Sequence, residues 1–164
     1  MQYDWSQFRK RIPINASARD IFLAWATPAG LEKWFLRSAQ FTSLQQTRRN
    51  KYDQIEMGDR YKWRWFGYND ETFEIGEVFY TNHHDSIQFS FCGCLVEIKI
   101  IKEHHVTILE LVQSNIPVTE EGKTTLHLGC MAGWVFYMAN LKSILENGID
   151  LRNKNEVLQD VLNA

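Results

Sequence analysis

RYKWRWFGY, residues 60–68, sets Tyr61, Trp63 and Trp65 at alternate positions with Lys62 and Arg64 between them. A period of two is the mark of a strand whose faces differ. Rings interleaved with cations would suit a single-stranded nucleic acid lying across an exposed platform. The opposite face would then have to bury Arg60, Lys62 and Arg64, and burying unpaired charge costs far more than burying rings. The aromatics are therefore expected to face inward. A heavy set of rings on one sheet face is either core filler or one wall of an apolar cavity, and both readings fit the stretch.

The chain has 164 residues, 45% hydrophobic and 23% charged, with six tryptophans. That length suits a single domain, taken as residues 1–164 with a core over about 8–148 and a charged tail over 149–164. Net charge is −2, but residues 1–64 carry 12 Lys and Arg against 6 Asp and Glu, and the remainder 6 against 14. The one basic cluster, QTRRNK at residues 46–51, reads as a solvated turn, and a duplex binder would show a larger basic footprint. No nucleic-acid partner is expected. The opening MQYDWSQFRKR lacks the apolar run of a secretory leader, and no stretch of about 18 uncharged apolar residues marks a membrane span. Three cysteines, with Cys92-Gly93-Cys94 at a tight turn, suit a reducing compartment better than a disulfide framework. The reading is a cytoplasmic protein.

Residues 8–15, FRKRIPIN, alternate as a strand, with Pro13 suited to an edge. Ser17 and Asp20 form a capping-box-like start for a short helix ended by Pro28, and Leu31, Trp34 and Phe35 mark a second. Strands are expected at about 39–45, 54–66, 71–81, 86–92, 95–102 and 105–113, joined by hairpin turns. In TFEIGEVFY the apolar set jumps from Phe73 and Ile75 to Val78 and Tyr80, which predicts a bulge at Gly76-Glu77 and a curved sheet. The concavity is filled by a long helix over about 124–147, closed by Gly148. One more helical turn is expected at NEVLQDVL, residues 155–162, in a tail that packs weakly.

At 100° per residue, His127, Met131, Trp134 and Met138 share the inward face of that helix. The candidate ligand cavity is accordingly Tyr61, Trp63, Trp65, Phe89 and Phe91 from the sheet with His127, Met131, Trp134 and Met138 from the helix. His127 is its polar member, either a satisfied core histidine or a group that orients a ligand. Phe136 sits opposite that face, as a homodimer contact or under the tail. No nucleophile with a base, phosphate loop or metal-ligand spacing is present, so no catalytic residue, metal or cofactor is assigned and binding is favoured over catalysis. Glu74, Glu77 and Glu97 read as a solvated strand face, and the histidine pairs at 83–84 and 104–105 as turn residues.

The order strand, two short helices, curved antiparallel sheet and long C-terminal helix is an α+β helix-grip arrangement that resembles the START-like (SRPBCC) superfamily. IPINASARDIFLAWATPAGLEKWF (12–35), EIGEVFYTNHHDSIQFSF (74–91) and GWVFYMANLKSILENGIDLR (133–152) resemble the branch similar to the C-terminal domain of the Aha-type activator of the ninety-kilodalton heat-shock chaperone ATPase. Gly133-Trp134, Leu141 and Glu146-Asn147-Gly148 are its most specific residues. Members of that branch often carry a double glycine before the aromatic strand, whereas here Gly58 is followed by Asp59. The resemblance implies a cavity for a small apolar or lipid-like ligand. Some relatives are co-chaperones or interaction modules, and others are polyketide cyclases or hydrolases.

Overall fold

A computed structural model of the chain describes residues 3–155 together with 157, 158 and 161. Of the helical turn expected over 155–162, residues 156, 159, 160 and 162 lie outside what is described. Strand β1 (Phe8–Pro13) leads into α1 (Ala18–Ala26) and α2 (Pro28–Trp34), followed by β2 (Ser38–Thr42), β3 (Arg60–Arg64), β4 (Glu74–Thr81), β5 (Ser86–Phe91), β6 (Cys94–Glu103) and β7 (Val106–Ser114). A π-helical stretch, Gly122–Gly129, runs directly into α3 (Cys130–Asn147). All seven strands are antiparallel in the order β1-β7-β6-β5-β4-β3-β2. This is the helix-grip fold. Because β1 and β2 occupy opposite edges, α1 and α2 must bridge the width of the sheet, and they close one end of its concave face.

The two short helices start where the side chains allow. The Ser17 hydroxyl accepts from the Asp20 backbone at 3.0 Å, and Thr27 accepts from Gly30 at 3.0 Å with Pro28 in the first turn. Gly148, at φ 72°, closes α3 in the left-handed region.

The sheet departs from expectation between β2 and β4. The strand expected over 54–66 is paired only from Arg60 to Arg64, and that expected over 39–45 ends at Thr42. The loop between them is held by Asp59, 1% exposed, whose carboxylate accepts two bonds from Arg49 at 2.8 and 2.9 Å and one from the Glu56 backbone. Arg49 is thus a buried anchor's partner and not part of a solvated turn. The departure from a double glycine at Gly58-Asp59 supplies this clamp.

In β4 the inward residues are Glu74, Gly76 and Val78, while Ile75 is exposed and the register slips between Val78 and Tyr80. The bulge therefore falls at Phe79, and Phe73 and Ile75 point outward. Phe73 lies under the Lys62 ammonium, 3.8 Å from its ring centre. Gly76 faces Tyr61 across the β3–β4 ladder, and a Cβ there would sit 2.4 Å from the tyrosine ring, so a strand glycine is required by close approach.

Helix α3 lies on the concave face and buries Trp134, Tyr137, Met138, Leu141 and Ile144. With the π-helical stretch it has the length and hydropathy of a membrane-crossing helix, a profile shared by core helices such as this one. Phe136 is half-buried, its ring 5.2 Å from Tyr137, so it presents less free surface than a regular wheel suggests.

The start of the tail packs tightly, contrary to expectation. Arg152 is buried and donates to the carbonyls of Glu32, Lys33 and Leu36, the C-terminal end of α2, at 3.2, 2.7 and 3.0 Å. Buried Asn140 of α3 donates to Trp34 O at 2.6 Å and accepts from Leu151 N at 2.7 Å. Burial alone raises the Asp150 carboxyl. Hydrogen bonds from the Arg152 guanidinium, Lys154 and the Arg152 backbone override it and hold the group well below the usual carboxylate range.

Arg152→Ala would leave three helix-end carbonyls without their donor and remove the guanidinium from Asp150, and should lower stability by about 3 kcal/mol in urea denaturation. Asp150 has its folded pKa depressed, so its contribution is present above the unfolded carboxylate value and lost as pH falls below about 4. Asp150→Asn should therefore flatten the acid limb of the stability profile.

Candidate functional site

Stiff rings from three elements meet under α3. Tyr61 stacks on Trp63 at 3.8 Å, Phe35 meets Trp63, Trp65, Trp134 and Tyr137 at 4.8–5.8 Å, and Phe91 lies 5.0 Å from Trp134. Such rings do not tile a curved surface completely. They leave a cavity of about 300 Å³ at the edge of the core, at the small end of the usual range for small-molecule sites. Its walls are Trp65, Tyr68 and Thr72 around the β3–β4 connection, Phe91 and Cys92 at the β5–β6 turn, Phe35 after α2, and one side of the long helix.

The helical wall comprises Thr125, Gly129, Cys130, Gly133, Trp134 and Tyr137. Gly133 is the informative member. A Cβ there would meet nothing within 4 Å, so no packing demand excludes a side chain. A glycine inside a helix costs about 1 kcal/mol relative to alanine, and here it leaves open space beside Trp134.

Of the residues expected to form the site, the structure brings together Trp65, Phe91 and Trp134 around this cavity. Trp63 and Phe89 instead line a separate void of about 10 Å³, too small for an organic ligand. Tyr61 is core, bonded through its hydroxyl to Ser90 O, and Met138 is buried in the core with Met131 half-buried at its margin.

His127, 0% exposed, lies among Tyr3, Trp5 and Phe8, with ring centres 5.1–5.4 Å away. Its Nδ1 is 3.0 Å from the Trp5 carbonyl, and its Nε2 is 2.9 Å from the Tyr3 hydroxyl. A carbonyl only accepts, so Nδ1 carries a proton and Nε2 is left to accept from Tyr3 in the neutral ring. The histidine anchors the N-terminal segment, away from the cavity. The reason is the π-helical stretch: each i→i+5 turn holds more residues than the 3.6 a regular wheel assumes, so positions before 130 are rotated relative to Trp134.

The residues that sequence reasoning passed over, Phe35, Tyr68, Thr72, Cys92, Thr125, Gly129, Cys130, Gly133 and Tyr137, come from four separate parts of the chain. Only the helical ones left a signal, in Gly129 and Gly133 one turn apart and flanking Cys130.

Two of the cavity residues are thiols. Cys92 and Cys130 face each other across the cavity wall closely enough to couple: the neighbouring Cys92 thiol lowers Cys130 to about 7, while Cys130, burial and the nearby Glu74 carboxylate raise Cys92. Gln113, 0% exposed, accepts from the Trp134 indole at 2.8 Å through its carbonyl. Its amide nitrogen has no hydrogen-bond partner, and Gln113 acts to lower the thiols of Cys130 and Cys94.

No family model matches the chain, and no curated protein matches it in sequence. Solved structures do share the fold. Protein SSP2350 from Staphylococcus saprophyticus is 17% identical with a TM-score of 0.68, over 89% of this chain and 96% of that one. DynU16, a protein of the dynemicin biosynthetic locus, is 21% identical with a TM-score of 0.67 over 91% of this chain. The match spans only 50% of DynU16. Aha1 from Colwellia psychrerythraea, solved as a dimer, is 18% identical with a TM-score of 0.64 over 87% of this chain and 97% of that one.

Gly133→Ala should raise stability by about 1 kcal/mol in chemical denaturation, because the added methyl meets no neighbour and helix propensity improves. His127→Ala should lower it by about 1–2 kcal/mol through loss of two hydrogen bonds, with faster amide exchange near Trp5.

Proposed function

We propose that this chain binds a small apolar molecule in the cavity between the sheet and the long helix. The observation that carries the reading is Gly133, an interior helix glycine with empty space where its side chain would be, on the wall of a cavity of about 300 Å³. A helix selected only for packing would gain from alanine there. The lining also fits: rings from Phe35, Trp65, Phe91 and Trp134 supply apolar contact, and the hydroxyls of Thr72 and Thr125 supply a few polar points. The three cysteines are free, which suits the reducing conditions of a cytoplasm. The START-like fold of the solved relatives accords with this reading, and closeness to the Aha-type branch is part of the proposal.

A protein-interaction role is the second reading. It is favoured by Phe73, Ile75, Phe79 and Tyr80, large apolar side chains exposed on and beside β4.

The test is titration with 4-phenylbutan-2-one, a saturated ketone small enough for the cavity, followed by tryptophan fluorescence. Binding should quench emission, and Gly133→Leu, which fills the space, should weaken affinity at least about tenfold, the loss of roughly 1.4 kcal/mol. Trp63→Phe and His127→Ala should leave affinity within about twofold. An unchanged spectrum in wild-type protein, with no apolar compound extracted from protein purified from its native host, would remove the binding reading in favour of interaction.

A further inference from the structure

The cavity holds a pair of thiols that simple apolar binding does not use. Cys130 sits on the helical wall between Gly129 and Gly133, and neither glycine puts a side chain over it. Cys92 faces it from the β5–β6 turn. That turn places Cys92 at φ 49° and Gly93 at φ 72°, a two-residue hairpin in which asparagine, aspartate or glycine is the preferred first residue. A cysteine there is poorly suited to the backbone, and it puts a second thiol on the cavity wall.

The surroundings distinguish the two sulfurs. Glu74 lies beside Cys92, with its Oε1 accepting from the Cys92 backbone at 2.7 Å and its Oε2 3.9 Å from the sulfur, which disfavours an anion on Cys92. On the other side Gln113, whose buried amide nitrogen has no hydrogen-bond partner, acts to lower Cys130 and Cys94, as an N–H dipole near a sulfur does by favouring the anion. Cys94 is buried and is not part of the cavity wall. Cys130 is therefore the sulfur with an open path to a ligand, a proton-sharing neighbour and a donor to stabilise its thiolate.

We propose that Cys130 is a covalent capture site for small apolar α,β-unsaturated carbonyl compounds that enter the cavity, with Cys92 as the proton donor. The proposal rests on the cavity being a ligand site. A thiolate is a soft nucleophile, and the apolar walls concentrate apolar electrophiles over polar oxidants. The Cys130 sulfur adds to the β-carbon, forming a carbon–sulfur bond as the carbon–carbon π pair moves toward the carbonyl. The resulting enolate takes the Cys92 S–H proton at its α-carbon. The Cys92 thiolate then recovers a proton from water, so the sum is addition of one thiol across one double bond with no change in oxidation state.

The probe is benzylideneacetone, an enone, with 4-phenylbutan-2-one as its saturated counterpart. Intact mass should show one adduct per chain, mapped to Cys130, forming about tenfold faster at pH 7 than with a small free thiol, because a group titrating near 7 is about half thiolate there. The rate should rise through about pH 7, and Cys92→Ala should move that midpoint up toward the ordinary thiol value. The saturated ketone should slow the reaction by competition. Cys130→Ser and Cys130→Ala should lose the adduct while still binding the saturated ketone, which shows that they fold. Quenching by the saturated ketone without enone adduct at Cys130 overturns the capture proposal and leaves the binding reading intact; absence of both overturns both. Equal labelling of all three cysteines at a free-thiol rate, unaffected by the saturated ketone, overturns it as ordinary surface chemistry. So does a Cys92–Cys130 disulfide formed by hydrogen peroxide in a protein inert to the enone, in favour of a redox pair.

Discussion

The hydrogen bond from the Trp134 indole to the Gln113 carbonyl sets how the long helix sits on the sheet. Both residues are buried, on α3 and on β7, and the bond of 2.8 Å joins the two layers inside the core. A bulky ring tied by its one polar atom has little freedom to repack. With Trp134 fixed, Cys130 and Tyr137 one turn to either side are aimed at the same face, and Gly133 lies beside it. The same bond uses the Gln113 carbonyl and leaves its amide nitrogen free to act on the nearby thiols. One interaction thus positions the helix, shapes the cavity and sets the electrostatics of its thiols.

The frame that holds this contact is polar and lies at the periphery. Asn140 and Arg152 join the end of α2, the middle of α3 and the first residues of the tail through bonds to backbone carbonyls. Asp59 and Arg49 hold the long connection between β2 and β3 against the sheet. His127 holds the N-terminal segment. Each satisfies groups that would otherwise be buried without partners. Apolar burial alone would leave the ends of the concave face undefined, because it is not directional.

Some of this was legible in particular residues. Alternation in RYKWRW placed Tyr61 and Trp63 inside and Arg60, Lys62 and Arg64 outside, as found. Ser17, Thr27-Pro28 and Gly148 marked helix ends through local hydrogen bonds and backbone preference, which act within a few residues. The same reasoning misplaced His127, because the i→i+5 turns before Cys130 leave no periodic signature of their own. It also misread Phe73 and Ile75. Their apolar character suggested burial, whereas the close approach of Tyr61 to Gly76 gives the inward face to the glycine.

The sequence by itself determined the fold class, the sheet's aromatic inner face and the helix that covers it, because periodicity and capping are short-range properties written in neighbouring residues. Only the tertiary structure decided where the space is and what lines it. The cavity is the remainder after Phe35, Trp65, Phe91 and Trp134 pack, and its thiols come from a turn and a helix 38 positions apart. A void has no residue of its own. Its position follows from shapes meeting across the core, and the character of Cys130 follows from Gln113, Cys92 and Glu74, which become its neighbours only when the sheet curves under the helix.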